Sequence, residues 1–284
     1  MAYKGTLIPI GGNEDKGNGL QDDELDFCSE GILSQVVAES GGLNASILVV
    51  TTASRIPKEV GENYISAFDL LGCTNVEVLD IVTSADAENK DLLEKVSNAN
   101  CMMFSGGDQS RIVDIIGGTE MHRILQHRFQ HDNIVIAGTS AGAMAMSSEM
   151  ISGGSSTEAL LKGSVDMREG MKFIPGLIID SHFIKRGRFG RLTEAVAKFS
   201  HLLGVGLAED TGMIIKNCNH LTVIGSGMAI IFDPSKLAHN NVDILPEGTP
   251  MTLSDLTVHV LANGDTFEIS TRSIQVLGEE KPMS

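Results

Sequence analysis

Ile134-Val-Ile-Ala-Gly138-Thr139-Ser140-Ala141-Gly142-Ala143 is the stretch that decides how this chain folds. A short apolar run that reads as a buried strand passes straight into Gly-x-Ser-x-Gly, and residues 143–150 follow as a helix-forming run. A strand that turns sharply at glycines into a helix, with a serine at the apex, has the build of a nucleophile elbow. It presents Ser140 at the sheet's edge and leaves the Ala141 amide free to stabilise an oxyanion. A glycine-lined turn carrying an incidental serine would look the same locally, but the flanking strand and helix favour the nucleophile.

Outward from the elbow, residues 6–10, 46–51, 76–82 and 101–105 are further apolar runs rich in Ile and Val. They are apolar throughout, as strands covered on both faces must be. Amphipathic segments lie between them. Pro57 opens one in which Val60, Tyr64, Phe68 and Leu71 recur at helical spacing, and Gly72 stops it. A second runs through Leu25, Ile32 and Val36 to Gly41 and Gly42. Alternation of this kind predicts an α/β fold with a doubly wound, mostly parallel sheet, whose site gathers at the carboxyl ends of the strands. Beyond residue 205 the strand-like runs 213–216, 221–224, 228–232, 256–261 and 266–269 predict antiparallel edge strands in the C-terminal third. Ala262-Asn-Gly-Asp265 is a hairpin candidate, residues 152–175 read as a long loop, and residues 1–284 read as one domain.

The chain has 284 residues, with 37 Asp and Glu against 21 Lys and Arg, a net charge of −16. Such a chain repels nucleic-acid phosphates, and with no Trp and two Tyr it offers few stacking surfaces. It suits a cationic or zwitterionic partner. The apolar run 6–10 is too short for a signal peptide or a membrane span, so a cytoplasmic location is expected, with no membrane partner. Cys28, Cys73, Cys101 and Cys218 lie far apart without a CxxC pair and read as buried, reduced thiols.

Four other segments carry chemistry. Met103-Phe-Ser-Gly-Gly-Asp-Gln109 places a Gly-Gly turn after a buried strand, and Gly107 is the candidate second oxyanion donor; Asp108 also reads as a helix cap. His127 and His131 have metal-ligand spacing, but no Glu follows His127, so a solvated helix face is favoured. His182 follows the apolar run 177–180 and opens a loop, 183–191, in which Lys185, Arg186, Arg188 and Arg191 are cationic. Glu209 and Asp210 close another short strand, and on chemistry alone either could orient an imidazole.

Taken together these segments resemble the cyanophycinase family of serine exopeptidases, along nearly the whole chain. Gly11-Gly-Asn-Glu-Asp-Lys16 is similar to the family's GGxEDK, Phe104-Ser-Gly-Gly-Asp-Gln109 to FTGGDQ, and Gly138-Thr-Ser-Ala-Gly-Ala143 to GTSAGA. Asp180-Ser-His-Phe with Arg186-x-Arg188-x-x-Arg191 resembles DQHFxxRxRxxR, and Glu209-Asp-Thr resembles EDT. The resemblance implies a flavodoxin-like, class I glutamine amidotransferase-like fold and hydrolysis of cyanophycin, a polyaspartate with arginine on each β-carboxyl group, to β-aspartyl-arginine. It implies Ser140 as nucleophile, His182 as base and Glu209 as orienting acid. Gln109, Asp180, Arg186, Arg188 and Arg191 are implied as pocket residues, with no metal or organic cofactor and a homodimer. Ser181 stands where the family usually has Gln, which bears on substrate positioning. A related aspartyl or isoaspartyl dipeptidase, or a non-catalytic binder of the polymer, are the alternatives.

Overall fold

A computed structural model describes residues 3–19, 25–154 and 160–278. The amino-terminal half alternates strands and helices: β1 (Thr6–Ile10), α1 (Ile32–Glu39), β2 (Ile47–Val50), α2 (Pro57–Leu70), β3 (Val76–Leu79), α3 (Lys90–Asn98), β4 (Cys101–Phe104), α4 (Gln109–Ile116), α5 (Glu120–His131), β5 (Val135–Thr139) and the single turn α6 (Ala141–Met144). Then come β6 (Glu149–Gly154), β7 (Val165–Glu169), β8 (Leu177–Asp180), α7 (Phe189–Lys198) and β9 (Leu203–Leu207). The remaining strands are β10 (Thr211–Lys216), β11 (His220–Gly225), β12 (Ala229–Asp233), β13 (His239–Asn240), β14 (Leu253–Ser254), β15 (Thr257–Leu261), β16 (Thr266–Glu268) and β17 (Ser273–Gln275).

The central sheet has the order β17-β16-β11-β10-β1-β5-β4-β2-β3. The five strands β1 to β5 run parallel, while β10, β11, β16 and β17 pair antiparallel. Side chains alternate across the sheet as the pleat requires. Ile8, Ile10, Val49, Met103 and Ala137 pack with Leu33, Val36, Tyr64 and Phe68 of α1 and α2 on one face. Leu7, Val50, Met102, Phe104 and Ile136 pack with Ile112, Leu125 and Phe129 of α4 and α5 on the other. Each wholly buried side chain of this size stabilises the fold by roughly 1.5–3 kcal/mol, so two apolar faces per strand explain the unbroken hydrophobic runs. The helices begin as their sequences dictate: Pro57 heads α2, and the side chains of Asn89, Asp108 and Thr119 cap α3, α4 and α5.

A second sheet, β15-β12-β9-β8, lies against the α4–α5 face and shares its core. Only β8 and β9 run parallel within it. Residues 228–232 and 256–261, expected at the edge of the main sheet, therefore belong elsewhere. The expected hairpin at Ala262–Asp265 is a crossing between sheets instead. Its turn is present, but Gly264 donates to the Val223 carbonyl and Val223 donates to that of Asp265, so β11 captures the chain leaving β15.

Three further segments depart from expectation. The helix through Leu25 begins only at Ile32, because the Asp26 carboxylate accepts from the backbone of Cys28 and Ser29 and holds a turn there. The helix expected over 143–150 ends at Met144, since the carbonyls of Ala145, Met146 and Ser147 accept from Met171, Phe173 and Lys172 instead of continuing the spiral. Residues 152–154 and 165–169 of the expected loop 152–175 belong to the antiparallel ribbon β6–β7, bulged at Ile151 to Gly153; residues 155–159 lie outside the described residues. All four cysteines are free, but Cys28 is exposed and Cys218 half-buried. Burial pushes the Cys101 thiol up to about 12.

Candidate active site

Three successive carbonyls at the end of β1 organise the site. Ile10 accepts from the Ser140 amide at 2.8 Å, Gly11 from the His182 amide at 2.8 Å and Gly12 from the Asp210 amide at 2.9 Å. The loops after β5, β8 and β9 are thereby tied to one stretch of backbone. Ser140, His182 and Asp210 all take positive φ, at 50°, 46° and 43°. A non-glycine residue held there carries strain of about 1–3 kcal/mol, which the surrounding bonds must offset.

The elbow is packed so closely that its glycines are obligatory. A Cβ on Gly138 would lie 2.7 Å from the Gly142 carbonyl carbon, and one on Gly142 would lie 2.4 Å from the Phe104 oxygen. On the facing turn, Gly107 has φ 143° and a Cβ there would strike the Ala53 oxygen at 2.1 Å. Gly106 and Gly107 border the same cavity as Ser140. Asp108 caps α4 as well, accepting from the Ser110 amide at 2.9 Å, so the capping role coexists with that position. The Ser140 hydroxyl lies 3.4 Å from that of Ser181.

His182 is sandwiched. Its Nδ1 lies 2.8 Å from Glu209 Oε1, and a Cβ on Gly12 would overlap the ring, 2.3 Å from Cε1 and 2.6 Å from Nε2. Behind it Phe183 fills a slot over Gly206 and packs with Phe189 and Phe232. Burial drives the imidazole below its usual value of 6.5; Glu209 opposes this, while Arg186 and Arg188 reinforce it. Burial thus favours the uncharged ring, whose Nε2 can accept a proton. Glu209 would be raised by burial, but bonds from Lys185 and His182 bring it below 4.5. Asp210 faces away, accepting from the Ser226 hydroxyl and amide and from the Asp15 amide, so Glu209 is the acid that meets the imidazole.

Ser140, His182 and Arg186 line one cavity of about 430 Å³ with residues the motif reading left without roles: Glu14, Lys16 and Tyr64. Glu14 is wholly buried and accepts from Tyr64 at 2.5 Å, Thr139 at 2.6 Å and Lys16 at 2.9 Å. Burial alone would raise this carboxyl; the Lys16 charge and the Thr139 and Tyr64 bonds outweigh it and hold it below 4.5. It pins the residue preceding the nucleophile. The signal was Glu-Asp-Lys after Gly11-Gly12, which carried no chemistry until Tyr64 and Thr139 converged on it.

Of the expected pocket residues, Arg186 lines this cavity, whereas Gln109, Asp180, Ser181, Arg188 and Arg191 are not among its lining residues. The buried Asp180 carboxylate receives Arg191 through Nε at 2.7 Å and through Nη2, and Arg188 at 3.1 Å. Arg188 also donates to the Ser181 carbonyl at 2.7 Å. Gln109 donates to the Ile151 carbonyl on β6 at 2.9 Å. His127 and His131 are exposed on α5, and no group of His, Cys, Asp or Glu among the described residues is arranged to hold a metal. No helix among the described residues is long and apolar enough to cross a membrane.

The fold and sequence have clear relatives. A peptidase from an acI-B1 Actinobacterium superposes with a TM-score of 0.64 at 20% identity, covering 94% of this chain and 98% of that one. A putative peptidase E protein from Listeria monocytogenes EGD-e superposes with a TM-score of 0.53 at 16% identity, covering 79% and 99%. At these identities the likeness speaks for the fold alone. In sequence, the cyanophycinase of Trichormus variabilis is 34% identical over 274 residues, 96% of this chain and 89% of that protein. That of Geminocystis herdmanii is 32% identical over 268 residues, 94% and 95%. The sequence profile of Peptidase family S51 matches residues 19–223, and the chain belongs to that family.

Proposed function

We propose that this chain hydrolyses cyanophycin as a serine exopeptidase, releasing β-aspartyl-arginine dipeptides, with Ser140 as nucleophile, His182 as base and Glu209 as orienting acid. The observation that carries the reading is an imidazole, held by Glu209 through Nδ1, sharing one cavity with a strained apex serine and two cations, Lys16 and Arg186. The relatives bearing the cyanophycinase name supply the substrate class.

In the acylation step the Ser140 hydroxyl rotates from Ser181 towards His182, whose Nε2 takes its proton as Oγ attacks the scissile carbonyl. Such bonds are often long before substrate binds. The Gly107 and Ala141 amides hold the oxyanion, a role worth roughly 10²–10³ in rate per donor. His182 then gives its proton to the leaving amine as the peptide bond breaks. Water attacks the ester with His182 again as base, releasing the dipeptide and restoring Ser140. No metal or cofactor is assigned a part.

Substrate binding divides between contact and support. Arg186 meets the free carboxylate of the arginyl unit, as guanidinium suits carboxylate. Asp180, Arg188 and Arg191 brace the Ser181–His182 turn, and Gln109 ties the start of α4 to β6. The reading also carries a homodimer in the cytoplasm and a single domain over residues 1–284, of flavodoxin-like, class I glutamine amidotransferase-like type with antiparallel edge strands. Incubation with insoluble cyanophycin and mass spectrometry of the supernatant tests it, with Ser140→Ala as control. Cleavage of soluble aspartyl dipeptides with the polymer untouched would instead favour a dipeptidase.

A further inference from the structure

The chain's arginines divide sharply by partner. Arg123, Arg128, Arg168, Arg188, Arg191 and Arg272 make ion pairs with carboxylates among the described residues. The three outside those pairs are Arg186, in the catalytic cavity, and Arg55 and Arg111, which face a second cavity of about 360 Å³. In a chain with 37 acidic against 21 basic side chains, guanidinium groups without a carboxylate ion pair among the described residues are informative.

This second cavity opens at the carboxyl ends of β2 and β3, where Thr51, Thr52 and Asp80 join the two arginines in its lining. Arg111 Nε donates to the Thr52 carbonyl at 3.1 Å, which fixes its guanidinium against the wall. That wall is continuous with the catalytic site. Asp108 donates to the Ala53 carbonyl at 2.9 Å, and Gly107 lies so close to Ala53 that no side chain fits between them. Gly106 and Gly107 thus border the cavity of Ser140, while Thr51, Thr52 and Ser54, packed beside them through Ala53, border that of Arg55 and Arg111.

Resting on the cyanophycin reading, we propose that the Arg55–Arg111 cavity is an accessory subsite for the polymer. It takes the carboxylate of an arginyl unit beyond the one held at Ser140, while Asp80 receives that unit's guanidinium. Two cations with one acid match a zwitterionic unit. A cavity packed beside that of the nucleophile through Ala53 suits a repeating chain that must lie across the enzyme while its end is cut.

The test uses the full chain carrying Ser140→Ala, which binds without turnover, titrated calorimetrically with soluble β-aspartyl-arginine oligomers of two and of six units. Arg55→Ala, at an exposed residue, and Arg55→Ala with Arg111→Ala are then introduced. Affinity for the long oligomer is expected to fall about tenfold, the loss of one charge-assisted bond, with affinity for the short one unchanged. In protein retaining Ser140, Arg55→Ala raises KM on the long oligomer and leaves kcat unchanged. Equal weakening of both oligomers, or no change in either, overturns the subsite. If protein with all its arginines binds neither oligomer and releases no dipeptide, the cyanophycin reading fails and the subsite with it.

Discussion

Ser140 follows a parallel strand of the central sheet, whereas His182 and Glu209 follow the two parallel strands of the smaller sheet. The two sides meet at the same three successive carbonyls, those of Ile10, Gly11 and Gly12, but are constrained by different means. On the serine side, backbone packs directly on backbone at Gly138, Gly142 and Gly107, and no side chain would fit. On the histidine side the ring is placed by partners remote in sequence: Gly12 against one face, Glu209 at Nδ1, and Phe183 buried behind it. A nucleophile set by local geometry and a base set by tertiary packing should therefore fail differently when altered.

Ser140→Ala tests the serine side most directly: dipeptide release should fall by about 10⁶-fold with an unchanged circular dichroism spectrum. On the other side, Glu209→Gln keeps the shape but not the charge that holds the imidazole tautomer, and kcat should drop by up to about 10⁴-fold. Residual activity near that of the parent would show that Glu209 does not orient the base. Asp180→Ala leaves Arg188 and Arg191 unpaired in the interior, a loss of about 3–5 kcal/mol by urea denaturation. A loss below about 1 kcal/mol, the value of a surface pair, would contradict the buried brace. Gly12→Ala drives a methyl into the imidazole, and displacement on the scale of an ångström should lower kcat by about 10²-fold. A crystal structure of that variant with His182 unmoved would erase the contrast between the two sides.

The smallest effect is a shift in pH dependence. His182 acts when neutral, so kcat/KM falls as pH drops through its lowered pKa. Burial does most of the lowering, and Arg186 adds to it. Arg186→Ala removes one positive neighbour, so the acid limb of the profile should move to higher pH; a limb that stays in place would show that Arg186 does not reach the imidazole's field.

The parallel strands and the helix from Pro57 were legible because each buries a pattern that a short window contains. The elbow was legible for the same reason: its glycines are neighbours in the chain. The extent of the following helix was not, because the carbonyls of Ala145 to Ser147 are taken by residues more than 20 positions onward. Nor was the second sheet, since a strand's apolar pattern does not say which partner it pairs with, and Val223 claims the turn at Gly264 only after folding.

By itself, then, the amino-acid order determined the local units of this protein: fully apolar strands, a serine at a glycine-bounded turn, a histidine before a basic run and an acid pair after a strand. Residue chemistry left Glu209 and Asp210 open and the family resemblance implied Glu209, whose contact with His182 the tertiary structure makes. Tertiary structure alone decided that Glu14 anchors Thr139 and that Asp180 engages two of the three clustered arginines while Arg186 faces the cavity. The physical reason is that charge partnership and burial depend on distance through space, and the groups involved lie up to 125 residues apart along the chain.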